Sequence, residues 1–233
     1  MSVPFFYEPL IATGMTQFTM SETSSKHCVQ VLRMDVGENI EITNGQGGLF
    51  HASIQLAHKK NALVAITKSI QHERRKQKLH LGISLLKNAV RLEWLFEKAT
   101  EMGITNVTPL LCERTIHERF KTERMQQIIQ SAMIQSQQTW LPILSEPTPY
   151  QAFLTQATAA QKLIAHCQPL DKTSIKSIEP SEDIVLLIGP EGDFTPTEIE
   201  AAIAKQFTPI DLGPTRLRTE TAGIFALSVL KNF

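Results

Sequence analysis

The chain is poor in cysteine, in tryptophan and tyrosine, in net charge and in long apolar runs. Its 233 residues include three cysteines, two tryptophans and two tyrosines, and 23 Lys and Arg balance 23 Asp and Glu. Cys28, Cys112 and Cys167 are an odd number at wide spacing, which gives neither a disulfide framework nor a metal motif. No metal is expected, and a reducing cytoplasm is the simplest location. So few Trp and Tyr leave no obvious platform for stacking bases. The longest apolar runs, IVLLI (184–188) and GIFALSVL (223–230), fall far short of the roughly 20 residues a membrane span needs. The N-terminal MSVPFFYEPL lacks a basic region, so no signal peptide is read. There is no G-x-G-x-x-G and no Gly-Lys-Ser/Thr phosphate loop, which removes the dinucleotide fingerprint and the P-loop ATPases and kinases. A hydrophobic content of 42% with zero net charge excludes disorder as the main character. The length suits one large domain or two smaller ones.

What is present is uneven. Residues 1–70 hold five basic and five acidic side chains, residues 71–125 hold 11 against 7, and residues 126–233 hold 7 against 11. The middle also carries His72, His80 and His117. A basic segment on a neutral protein points toward a polyanion, although an excess of four is also what a solvated face carries.

Residues 1–71 read as a small β domain. ENIEIT (38–43) alternates apolar and polar, Asn44-Gly45 opens a turn, and LFHASIQLAH (49–58) runs back, a hairpin pattern. ALVAITKSI (62–70) adds another strand, and several short strands with tight turns suggest a small barrel. The polar QHERRKQK (71–78) marks the boundary. Residues 72–233 then alternate strands and helices: LHLGISLL (79–86); a helix with Leu92, Leu95, Phe96, Ala99 and Met102 on one stripe; ITNVTPLL (104–111); and a long helix over 119–140 stopped by Pro142. A short helix near 149–160, KLIAHC (162–167), IVLLI, a helix opened by Thr195-Pro196-Thr197-Glu198, TPIDLG (208–213) and a final helix follow. Trp94 and Trp140 read as packing residues. The alternation predicts an α/β domain with a mostly parallel sheet, and ligands of such sheets bind beyond the carboxyl ends of the strands. That rule selects the loop after HC (166–167), the segment IGPEGDFT (188–195) and the segment LGPTRLRTET (212–221).

Two of these loops carry the chemistry. IGPEGDFTPTE leaves a buried strand through a Gly-Pro turn into a capped helix, and its small residues let a ligand approach main-chain groups. LGPTRLRTETAG crowds Arg216, Arg218 and Glu220 between an apolar strand and an apolar helix. Thr219 as N-cap, with Glu220 in the first turn, would satisfy the helix dipole. Arg218 at the same place is disfavoured by that dipole and calls for an anionic ligand or substrate.

GPEGDF (189–194) with LGPTRLRTETA (212–222) resembles the ribosomal RNA small subunit methyltransferase E family. His27 with Val31-Leu32-Arg33 and KATEMGI (98–104) resemble further stretches of it, so the likeness spans essentially the whole chain. The sequence departs from the family at Asp193, where a second Gly is usual, and at Ile134 and Gln138, where Glu and Arg are usual. Arg114-Thr115 replaces Arg-Ser, and the N-terminal aromatic segment lacks an Arg.

The resemblance implies an N-terminal PUA-like β-barrel and a SPOUT-type trefoil-knotted α/β domain; periodicity shows no knot. It implies S-adenosyl-L-methionine as cofactor and N3 of a uridine in 16S ribosomal RNA as acceptor, on the small ribosomal subunit, by a homodimer. Three loops would hold the cofactor through His166, Ile188, Gly189, Pro190, Glu191, Gly192, Leu212, Gly213, Leu217, Arg218 and Thr219. Arg218 would stabilise charge on the uracil, and Glu191 or Glu220 would take its proton. Arg33, Lys87, Arg91, Lys98 and Arg114 are the candidate RNA contacts. A knotted methyltransferase for another RNA atom and a non-catalytic ribosome-assembly factor are the competing readings.

Overall fold

The computed structural model describes residues 3–116 and 119–231; His117 lies outside them. Two compact units divide the chain, one of Met1–Arg74 with Met133–Leu141, the other of Arg75–Ala132 with Pro142–Phe233.

The first unit contains strands β1 (Phe5–Tyr7) and β2 (Gln17–Thr19), helix α1 (Glu22–Lys26) continued by a π-turn over His27–Val31, and strands β3 (Asn39–Thr43), β4 (Gly48–Leu56) and β5 (Leu63–Gln71). They form one sheet in the order β1-β3-β4-β5-β2. Alternation in β4 puts Phe50, Ala52 and Ile54 inward, against Phe6, Ile40, Ile42 and Val64. The expected β3–β4 hairpin is present. Asn44 Oδ1 accepts from the amides of Gln46 and Gly48, each at 2.9 Å. The tip is held by a segment that sequence reasoning assigned elsewhere: Gly47 N–H donates to the Thr139 carbonyl at 2.8 Å and Leu141 N–H to the Gly45 carbonyl at 2.9 Å.

The second unit contains β6 (Lys78–Ser84), α2 (Ala89–Glu101), β7 (Asn106–Leu111), α3 (Thr122–Gln135) as far as Ala132, β8 (Ile143–Leu144), β9 (Thr148–Pro149) and α4 (Tyr150–Gln156). β10 (Gln161–Ala165), β11 (Thr173–Ser174), β12 (Asp183–Ile188), α5 (Pro196–Ala204), β13 (Thr208–Asp211) and α6 (Thr219–Leu230) complete it. The sheet runs β11-β13-β10-β12-β6-β7-β8, with β9 also on β7, and every ladder is parallel. Val185 and Leu187 of β12 face a core completed by Tyr150, Phe153 and Leu154 of α4 and Ile199 and Ala202 of α5. α2 and α6 pack together, and α6 also lies on β6 and β12. Strands buried on both faces explain the near-continuous apolar runs.

Three expectations need correction. The long helix ends at Gln135, well before Pro142, because Gln137 adopts φ 53° and Gln138 N–H closes back on the Met133 carbonyl at 3.0 Å. Trp140 is therefore off the helix, under the Arg74 guanidinium at 5.4 Å. Trp94 is 43% exposed rather than packed.

Candidate active site

The carboxyl ends of β10, β12 and β13 open on a cavity of about 650 Å³. Ala165 and Ile188 end their strands at its floor, and Leu212 and Leu217 add apolar wall. Charged side chains surround this apolar part: Arg91 from α2, Lys172 and Asp193 from the first two loops, and Arg216, Arg218 and Glu220 from the third loop and α6.

The loop after β12 is fixed on several sides. Thr195 and Glu198 form the expected capping box with Pro196 at the first helical position. Glu198 Oε1 also accepts the Glu113 amide at 2.9 Å, and Tyr150 donates its hydroxyl to the Glu198 carbonyl at 2.9 Å. The Arg114 guanidinium donates to the Gly192 carbonyl at 2.7 Å, and Glu191 Oε1 accepts the Lys87 amide at 3.0 Å. Asp193 sits at φ 65°, and its Oδ2 accepts the Cys167 amide at 2.9 Å. Its carboxylate thus ties the loop after β12 to the loop after β10.

The third loop turns at Gly213, φ 115°, whose amide donates to Asp211 Oδ2 at 3.2 Å. α6 starts differently from expectation. Arg218, in extended conformation, is the N-cap residue and makes no side-chain cap bond, while Thr219 is the first helical residue. Thr219 and Glu220 are both buried. Thr219 cannot cap because its own backbone is already helical.

Of the residues singled out for the cofactor, His166, Ile188, Gly189, Pro190, Glu191, Leu212, Gly213, Leu217, Arg218 and Thr219 all line the cavity, and Gly192 is turned to Arg114 instead. Arg218, Glu191 and Glu220, singled out for catalysis, line the same cavity. The four RNA candidates of the second unit stand at three places. Arg91 lines the cavity and pairs with Glu220 at 3.6 Å, while Lys98 is engaged by Glu97 and Glu101 at 2.7 and 2.9 Å. Lys87 and Arg114 stand at the loop after β12. Arg33 is exposed on the first unit at φ 58°. Lys172 and the bracing role of Asp193 escaped sequence reasoning. Lys172 stands in the loop that the carboxyl-end rule marks, where no motif singles it out.

His166 has a lowered pKa, because burial and then the Lys172 ammonium disfavour its cation, with Asp193 opposing. Lys172 Nζ donates to the His166 carbonyl at 3.1 Å. Among the described residues no cluster of metal-ligating side chains occurs, and no helix is long and apolar enough to cross a membrane.

The RNA methyltransferase domain family matches residues 73–231, and the RNA methyltransferase PUA domain family matches residues 21–67. The ribosomal RNA small subunit methyltransferase E of Synechocystis sp. is 35% identical over 88% of this chain and 70% of its own. That of Rickettsia conorii is 30% identical over 95% and 93%. A Legionella pneumophila methyltransferase solved with bound S-adenosylmethionine matches with TM-score 0.89 and 32% identity, over 99% of this chain and 97% of that one. The small subunit methyltransferase E of Neisseria gonorrhoeae, bound to S-adenosylmethionine, gives 0.88 and 28%, over 98% and 97%. With the RNA methyltransferase domain match covering most of the sequence and two relatives at least 30% identical over 88% and 95% of it, the chain belongs to the ribosomal RNA small subunit methyltransferase E family.

Proposed function

We propose that this protein methylates N3 of a uridine in 16S ribosomal RNA, with S-adenosyl-L-methionine as donor. The observation that carries this reading is the cavity at the carboxyl ends of β10, β12 and β13, with an apolar floor and a rim of charged side chains. Its volume of about 650 Å³ is within the range of small-molecule sites. Ile188, Leu212 and Leu217 suit a flat heteroaromatic ring, and Gly189 and Gly213 let main-chain groups meet its edge. The cofactor, when bound, supplies a methyl group on a sulfonium, a good leaving group.

The protein's part is orientation, charge and a proton acceptor. Uracil N3 is a poor nucleophile until it loses its proton. Arg218, at the N-terminus of α6, stabilises the negative charge that then develops on the uracil oxygens. Glu220 accepts the proton, directly or through water. Glu191 holds its loop to the Lys87 amide, which leaves Glu220 as the stronger acceptor. The target base leaves its stack to enter. Arg33, Lys87 and Arg114 contact phosphates, a role that Lys98, between two glutamates, fills less well. The reading extends to a trefoil-knotted catalytic domain, a cytoplasmic homodimer and the assembled small subunit as substrate.

The test uses small subunits from a strain lacking this gene, the purified protein and labelled S-adenosylmethionine, with the label mapped by nuclease digestion and mass spectrometry. One N3-methyluridine in 16S RNA is expected. A label on another atom, or no transfer at all, would overturn the substrate assignment.

A further inference from the structure

His166 is buried, with 7% of its surface exposed, and it lines the cavity. Among the described residues neither of its ring nitrogens has a hydrogen-bond partner. A neutral imidazole carries one donor and one acceptor, and a buried polar group left unpaired is destabilising. The ring is held neutral by burial and by Lys172. The residue next to it is fixed, since the Cys167 amide is held by Asp193 at 2.9 Å. The fold therefore builds a rigid, neutral, unanswered imidazole into a ligand cavity.

We propose that His166 hydrogen-bonds the ribose hydroxyls of the cofactor, with Asp193 as the residue that positions it; this rests on the cofactor reading given above. The cofactor's parts make different demands. The adenine wants apolar faces and main-chain groups, which Ile188, Leu212 and Leu217 and their loops provide. The amino-acid end is zwitterionic and matches the charged rim. The vicinal diol is uncharged, and each hydroxyl both donates and accepts. It satisfies an imidazole in either tautomer, without requiring a charge on the ring.

The experiment is calorimetric binding of S-adenosylhomocysteine and of its 2′-deoxy and 3′-deoxy counterparts, which needs no turnover. Loss of a hydroxyl is expected to weaken binding to the unmutated protein about tenfold at the position His166 contacts. In His166→Ala, S-adenosylhomocysteine itself binds about tenfold more weakly, and the deoxy compounds then differ from it by less than twofold. In the unmutated protein, the ring nitrogen resonances of ¹⁵N-histidine-labelled His166 shift with S-adenosylhomocysteine and shift less with the deoxy compound, a readout that does not depend on the variant folding. If His166→Ala discriminates the deoxy compounds as strongly as the unmutated protein does, the assignment of His166 fails while the cofactor reading stands. If the unmutated protein binds none of these compounds, the cofactor reading itself fails.

Discussion

Arg91 Nε and Glu220 Oε1 lie 3.6 Å apart at the wall of the cavity, and link α2 to the first turn of α6. Close packing brings them together. One turn further along each helix, a Cβ on Gly223 would come within 3.0 Å of Leu95 Cδ1. Glu220 is buried, so its carboxylate depends on that guanidinium for compensation. In the proposed mechanism this pairing makes Arg91 a positioning residue for the proton acceptor.

Arg91→Ala is accordingly expected to lower kcat at least tenfold and to leave S-adenosylhomocysteine affinity within about threefold. Arg91→Lys should recover part of the loss. The double variant with Glu220→Gln should be little worse than either single change, because the two act as a unit. The control is the salt dependence of RNA binding. A phosphate contact would reduce the slope of log K against log salt by about one on removal, and for Arg91 that slope should not change.

The architecture was legible because each element carries its own signal. Apolar runs such as IVLLI needed a sheet covered on both faces, and Thr195-Pro196-Thr197-Glu198 wrote out its own helix cap. The carboxyl-end rule then pointed at the loops that line the cavity, from the alternation of strands and helices along the chain. Relations between distant segments were not legible. No local pattern states that Thr139 to Leu141 hold the tip of the β3–β4 hairpin, or that Asp193 accepts the Cys167 amide. The pairing of Arg91 with Glu220 was equally hidden, because the two are 129 positions apart and on different helices. The helix end at Gln135 was missed for a related reason. Gln137 has no intrinsic preference for its positive φ, so no residue type marks the turn at which Gln138 N–H closes on the Met133 carbonyl.

Gly213 turns the third loop at φ 115° with open space where a Cβ would stand. Substitution therefore meets strain and no clash. Gly213→Ala should cost roughly 1–3 kcal/mol if the loop keeps its shape. Because the loop is at the surface, it can relax instead. The expected result is a small fall in melting temperature with about a tenfold loss of S-adenosylhomocysteine affinity. Unchanged affinity would mean that the loop's conformation does not matter to the ligand.

Asp193 separates backbone preference from side-chain bonding. Its φ of 65° is tolerated by Asn and Asp better than by most residues. Asp193→Asn keeps an oxygen for the Cys167 amide, so stability should change by less than about 1 kcal/mol. Asp193→Ala loses the acceptor and fits the backbone less well, and should cost on the order of 1–3 kcal/mol. Asp193→Gly relieves the backbone and still loses the acceptor, so it should fall between the two. Thermal unfolding orders the three variants; an Ala variant as stable as Asn would deny the bond any structural weight.

His80 gives the protein a titration that has nothing to do with catalysis. It sits in β6, with Nε2 2.8 Å from Thr108 Oγ1 and its ring edge-on to Phe153 at 5.1 Å. Burial lowers its pKa from 6.5 to about 4, against a smaller opposing effect of Asp183. The unfolded chain therefore binds a proton between pH 6.5 and 4 that the folded chain refuses. Stability from this group is complete above pH 6.5, declines as pH falls through that window, and is fully lost below about pH 4. The whole effect is on the order of 3 kcal/mol, at 1.36 kcal/mol per pKa unit. His80→Gln removes the titration but can still reach toward Thr108. Chemical denaturation at pH 7.5 and pH 4.5 should show a smaller loss of stability in the variant than in the unmutated protein. Equal losses would place the acid sensitivity in other groups and show that His80 charges as readily inside the sheet as in water.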